Sequence, residues 1–160
     1  MKTITPCLWF DLNALQAAEF YVSIFKNSKI TQITHYPDSV AKVANRPKGS
    51  VMTVMFELNG QEYMGLNGGP GHQSNQSISL MACCDTQDEV DYYWKALSAG
   101  GQEIQCGWLK DKFGFHWQIV PKQIFEMMHT KDTAKLDRYM QAMMTMVKLD
   151  LPTLQKAYNG

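Results

Sequence analysis

The chain has 160 residues, 45% of them hydrophobic and 19% charged, with fifteen acidic side chains balancing fifteen basic ones. That is enough chain to bury a real core, and the zero net charge argues against a surface built to follow nucleic-acid phosphates. No apolar run approaches the roughly 20 residues of a membrane helix. Pro6, Asp11 and Asn13 also interrupt the N-terminal segment that a signal peptide would keep apolar, so a cytoplasmic protein with no membrane or nucleic-acid partner is expected.

In chain order, Ile4–Phe10 (ITPCLWF) reads as a strand. Asn13 then stands at a helix start with Gln16 in capping-box register, and Leu15, Ala18, Val22 and Phe25 form the apolar stripe. Lys29–Tyr36 reads as a strand, and PDSVAKVANRPKGS as a polar loop. The stretch SVMTVMFELNGQEYMGLNGG is two strands around Asn59-Gly60, a dipeptide suited to a type I′ turn because both central residues need positive φ. NGGPGHQSNQS is a connecting loop, and its glycines match neither phosphate-loop nor dinucleotide-binding spacing.

A second cycle follows. Ser77–Cys84 is a strand, Thr86 and Glu89 form a T-x-x-E box, and Val90, Tyr93, Trp94 and Leu97 make a stripe that Gly100-Gly101 ends. QCGWLKDKFGFHWQIVP is a hairpin around the charged turn KDKFG. The remainder is helical: Thr133–Val147 carries Met140, Met143, Met144 and Val147 on one face, and Asp150 with Pro152 starts a last short helix. LWFDLNALQAAEFYVSIF and LMACCDTQDEVDYYWKAL share strand, Asp, helix and paired aromatics, so two copies of a β-α-β-β-β unit describe the chain economically. The fold class is α+β.

Cys7, Cys83, Cys84 and Cys106 lack metal-knuckle spacing. The adjacent pair points to opposite strand faces, so buried reduced thiols are expected. Nothing resembles H-E-x-x-H or G-x-S-x-G. His116 is a candidate base or ligand-orienting donor against the plainer role of a strand histidine bonded within the domain. His72 sits in the glycine-rich loop, where a solvated role competes with closing over a ligand. His35 and His129 show no partner spacing.

ITPCLWFDLNALQAAEFYVSIFKNSKI, SVMTVMFELNGQEYMGLNGGP and QCGWLKDKFGFHWQIVP, with the Met-rich tail and LQKAYNG, resemble the PhnB-like family. That family is known by the domain name 3-demethylubiquinone-9 3-methyltransferase, within the vicinal oxygen chelate superfamily of glyoxalases, bleomycin-resistance proteins and extradiol dioxygenases. The resemblance implies one domain over residues 1–160: βαβββ modules at about 1–67 and 76–121, curled around a ligand cavity, and a helical tail at about 122–160, usually as a homodimer. A Rossmann-type methyltransferase would carry a glycine-rich loop after its first strand. Here that strand runs into FDLNAL.

Metal-dependent members of the superfamily hold a divalent ion with His, Gln or Glu. Carried over by the resemblance, those positions fall on Ile4, Ile78, Gln118 and a residue within one of Gly65. Two isoleucines supply no donor atom, so no metal and no other cofactor is expected. With Gln118 facing the cavity, strand alternation turns His116 inward with it and Trp117 outward. The same parity turns Ile4, Pro6, Leu8 and Phe10 inward, with Asn67 and Trp108 completing the candidate lining. The expected function is binding of an unidentified apolar or aromatic small molecule. The alternative is an enzyme, of glyoxalase or dioxygenase type or working by metal-independent acid–base chemistry on His116.

Overall fold

The computed structural model describes residues 4–160. The chain divides after Gln73 into two compact units, each built on a four-stranded mixed sheet. In the first, β1 (Cys7–Phe10) leads into α1 (Ala14–Ile24), β2 (Lys29–His35), the short α2 (Asp38–Ala41), β3 (Val51–Leu58) and β4 (Gln61–Asn67). The order across the sheet is β1-β4-β3-β2, with β1 parallel to β4 and the other pairs antiparallel. Asn59 and Gly60 take φ of 47° and 83°, which gives the β3–β4 hairpin the two positive dihedrals its tight turn needs.

Two local expectations shift. The face of α1 that is buried holds Ala14, Ala17, Ala18, Tyr21 and Ile24, one position back from most of the anticipated stripe. Small side chains decide this, because they let the helix lie close on the sheet. A Cβ built on Gly65 would stand 3.2 Å from that of Ala14. Asn13 occupies the cap position, yet its side chain makes no cap bond. The Ala14 amide instead donates to Asn67 Oδ1 at 2.9 Å, so a strand residue 53 positions away caps the helix.

The second unit repeats the order. β5 (Leu80–Cys84), α3 (Gln87–Ser98), β6 (Gln102–Glu103), β7 (Trp108–Lys110) and β8 (His116–Pro121) form a sheet ordered β5-β8-β7-β6, with β5 parallel to β8. Thr86 Oγ1 accepts from the Glu89 amide at 3.3 Å, and Glu89 Oε2 returns to the Asp85 amide at 2.7 Å, one residue before the usual partner in a capping box. Gly100 ends α3 with φ of 76°, and a side chain on Gly101 would collide with the Lys110 carbonyl.

Three further helices, α4 (Ile124–Met128), α5 (Thr133–Met144) and α6 (Leu151–Asn159), close on a core of Val120, Ile124, Met127, Tyr139, Leu149, Leu151 and Leu154. Tyr139 is the buried centre of α5. Met140 and Met143 flank it, while Met144 and Val147, placed by sequence on the packed stripe, are exposed. Asp132 and Asp150 cap α5 and α6. The connecting segment lies along the start of β7: the amides of Cys106 and Gly107 donate to the carbonyls of Met146 and Val147, each at 2.8 Å. Gln87 grips it from α3, donating to Leu149 O at 3.1 Å and accepting from Leu151 N at 2.7 Å. Among the described residues no helix is long and apolar enough to cross a membrane.

Candidate functional site

Each sheet has a face turned to its helix and a face turned away. In the second sheet Leu109, Trp117, Ile119, Ala82 and Cys84 are buried together. Burial pushes the Cys84 thiol up to about 12, and the carboxylate of Glu89 on α3 adds to the rise, which marks this as the helix side. The ladder pairs Trp108 and Met81 with Gln118, and Lys110 with His116, so these five side chains share the opposite face. The alternation expected along β8 is present: Trp117 points to the helix side, while His116 and Gln118 point away from it.

The turn that sets this hairpin depends on a residue the sequence reading passed over. Asp111 is fully buried, and its Oδ1 accepts from the amides of Phe113 (2.8 Å) and Phe115 (3.0 Å). Its Oδ2 accepts from Trp117 Nε1 at 2.8 Å. One carboxylate therefore holds both the turn and the first residues of β8, which fixes where His116 emerges. The available signal was an Asp followed three residues later by Gly in a tight turn.

His116 is only 8% exposed, and its Nδ1 is buried without a hydrogen-bond partner among the described residues. Burial lowers its pKa, the Lys110 ammonium lowers it further, and Asp111 opposes in part, so the ring is neutral at physiological pH. Gln118 Nε2 donates one of its two N–H groups to Ser79 Oγ at 2.8 Å.

In the first sheet the candidate lining needs correction. Leu8, Phe10 and Asn67 do not face away from the helix. They share the helix side with Val54, Phe56 and Leu58, and a Cβ on Gly65 would meet Ala14 and the Phe10 ring there. Asn67 is structural: besides capping α1, it donates to Val51 O at 3.0 Å, and its carbonyl accepts from Tyr36 OH at 2.7 Å. The parity was set from Ile4, but the strand starts only at Cys7, and the pairing that defines its faces is Cys7 with Met64 and Trp9 with Leu66. Those four, with Met55 and Thr53, line the outer face. His72 packs edge-on against Trp9 with ring centroids 4.7 Å apart, and Trp9 Nε1 donates to Gly69 O at 2.8 Å.

Two of the positions carried over for metal ligands are isoleucines that stand apart from the ladders. Ile4 and Ile78 lie outside the strands, at 91% and 69% exposure. Met64 and Gln118 each stand four residues after the glycine of their hairpin turn (Gly60 and Gly114), and their parallel ladder neighbours are Cys7 and Met81. These two rungs carry a thiol and a thioether in the first sheet, and a thioether and a carboxamide in the second. Among the described residues no group of three or more His, Cys, Asp or Glu side chains is placed to hold a metal ion. The cysteines are free, but Cys7 and Cys83 are exposed rather than buried.

Comparison with known proteins agrees with this architecture. The profile of the family described as 3-demethylubiquinone-9 3-methyltransferase matches residues 2–120, and so ends before the helical tail that the sequence reading had included. The PhnB protein of Bacillus cereus is similar at 31% identity and a TM-score of 0.64, over 75% of this chain and 98% of that one. Protein PA1353 from Pseudomonas aeruginosa (18% identity, TM-score 0.60) shares the fold over 76% of this chain and 97% of its own. So does the genomically encoded fosfomycin resistance protein FosX from Listeria monocytogenes (17% identity, TM-score 0.56), over 81% and 98%. No curated protein matches. Doubled β-α-β-β-β sheets and a profile match over most of its length together identify the chain as a member of the PhnB-like 3-demethylubiquinone-9 3-methyltransferase domain family, in the vicinal oxygen chelate superfamily.

Proposed function

We propose that this chain is a metal-free binding protein for an apolar or aromatic small molecule, acting as a homodimer. The observation that carries the reading is the chemistry of the strand faces turned away from the helices. Trp9, Met55, Met64 and Leu66 on one sheet, and Trp108 and Met81 on the other, offer adaptable hydrocarbon, thioether and indole surface. Of the positions that the family resemblance carries over for metal ligands, Ile4 and Ile78 supply no donor atom, and the carboxamide of Gln118 alone is a poor anchor for a divalent cation. A glycine-rich methyl-donor loop is likewise missing from the sequence after the first strand.

Elemental analysis of the purified protein, titration with Ni²⁺, Mn²⁺ and Zn²⁺, and binding of the neutral dye N-phenyl-1-naphthylamine test the reading together. Expected are no stoichiometric metal and dye binding that quenches tryptophan emission and weakens in Met81→Lys. Stoichiometric metal that disappears in Gln118→Ala would overturn it.

A second reading, metal-independent acid–base catalysis, draws on one observation: His116 is a buried, neutral imidazole. Turnover of a bound compound that is abolished in His116→Gln while its binding persists would favour the enzyme.

A further inference from the structure

We infer that the outer face of the second sheet recognises an aromatic oxyanion, with the His116 Nε2–H and the Lys110 ammonium meeting the anionic oxygens and the Trp108 ring lying beside the aromatic body. This rests on the binding reading above and names the ligand class. The argument begins at the orphaned Nδ1 of His116. A proton on that nitrogen would leave a buried N–H donor unsatisfied, which costs more than a lone pair without a partner. The proton therefore sits on Nε2, and His116 presents a donor. Its lowered pKa is consistent with a neutral ring.

The ladder sets the neighbours. Lys110 stands directly opposite His116 across the β7–β8 pair, on the same face, and adds a positive charge with three donors. Two residues along, Trp108 pairs with Gln118. One of the two amide N–H groups of Gln118 is engaged by Ser79, and the carboxamide carries no charge to hold an anion at that end. The face thus runs from a cationic, donating end at Lys110 and His116 to an uncharged end where Trp108 stands beside the Gln118 carboxamide. A flat ring bearing one carboxylate or phenolate fits that polarity, whereas a cationic amine does not.

The probes are 1-naphthoate and its neutral counterpart 1-naphthamide, measured by calorimetry and tryptophan quenching with wild type and Lys110→Met. Histidine ¹⁵N spectra of the wild-type protein report the tautomer. Expected are at least tenfold tighter binding of the naphthoate, loss of that preference in Lys110→Met, and His116 protonated on Nε2. Equal binding of the two probes, a preference that survives Lys110→Met, or an Nδ1–H tautomer would each overturn the inference. If only the amide binds, the oxyanion assignment falls and the general binding reading stands. If neither probe binds, both fall.

Discussion

The two modules share one ladder, and position by position they diverge where chemistry is possible. Met64 corresponds to Gln118, Met55 to Trp108 and Cys7 to Met81. At the turn-proximal end, Glu57 faces Glu62 in the first module where Lys110 faces His116 in the second. The acidic pair is drawn off by local partners: Lys29 lies 3.5 Å from Glu57, and Thr5 donates to Glu62 at 2.9 Å. Among the described residues the basic pair has no such carboxylate partner on its face, and Asp111 is committed to the turn. The same frame therefore carries a locally neutralised acidic rung in one module and, in the other, a basic rung with the unpartnered Nδ1 of His116.

The turns differ as well, and this sets the largest expected effect. The first module reverses on the positive φ of Asn59-Gly60 with one side-chain bond, from the Asn59 amide to Ser28 Oγ at 3.2 Å, whereas the second is organised by the Asp111 carboxylate. Asp111→Ala strands two amides and an indole N–H, and should cost about 3 kcal/mol, since bonds to a charged acceptor are among the stronger ones. Chemical denaturation would measure that loss, and a change under 1 kcal/mol would show the turn does not need its carboxylate. Asn67→Ala strikes the first module where strand, helix and β3 meet. It should cost about 2 kcal/mol through the lost helix cap and the bond to Val51. Its ladder equivalent in the second module is Pro121, which cannot cap a helix with its side chain, and there Thr86 caps locally. Asn59→Ala, forcing an alanine into positive φ, should cost about 1 kcal/mol.

The smallest effect is a pH dependence specific to the second module. The pKa of His116 lies below its ordinary 6.5 in the folded state, so the unfolded chain takes up the proton first. Its stabilising contribution is present above pH 6.5 and is lost as pH falls through the lowered value. Denaturation midpoints measured downward from pH 7.5 should fall more steeply for wild type than for His116→Gln. Parallel slopes would mean the histidine is not desolvated.

Much of the fold is legible in the sequence because the signals are local. Asn59-Gly60, the T-x-x-E box at Thr86, Gly100-Gly101 and Asp150-Pro152 each act within a few residues of themselves. The candidate site is legible only in part, since the facing of a strand is set by where its pairing begins. Gln118 stands four residues after the Gly114 turn, well inside its strand, so alternation from it gives the shared facing of His116 and Gln118. Leu8 and Phe10 were misplaced by counting from Ile4, which lies before the strand. The caps supplied by Asn67 and the turn held by Asp111 depend on distant or buried partners, and periodicity carries no trace of either.

The grip of the tail segment on β7 has a kinetic corollary. Because the amides of Cys106 and Gly107 are sealed by carbonyls of residues 146 and 147, and not by a neighbouring strand, their deuterium uptake should follow the opening of the Gln87 clasp. Loosening that clasp with Gln87→Ala should speed exchange at those two sites while the β5–β8 amides stay slow, making the far end of the chain a latch on the strand that carries Trp108 and Lys110.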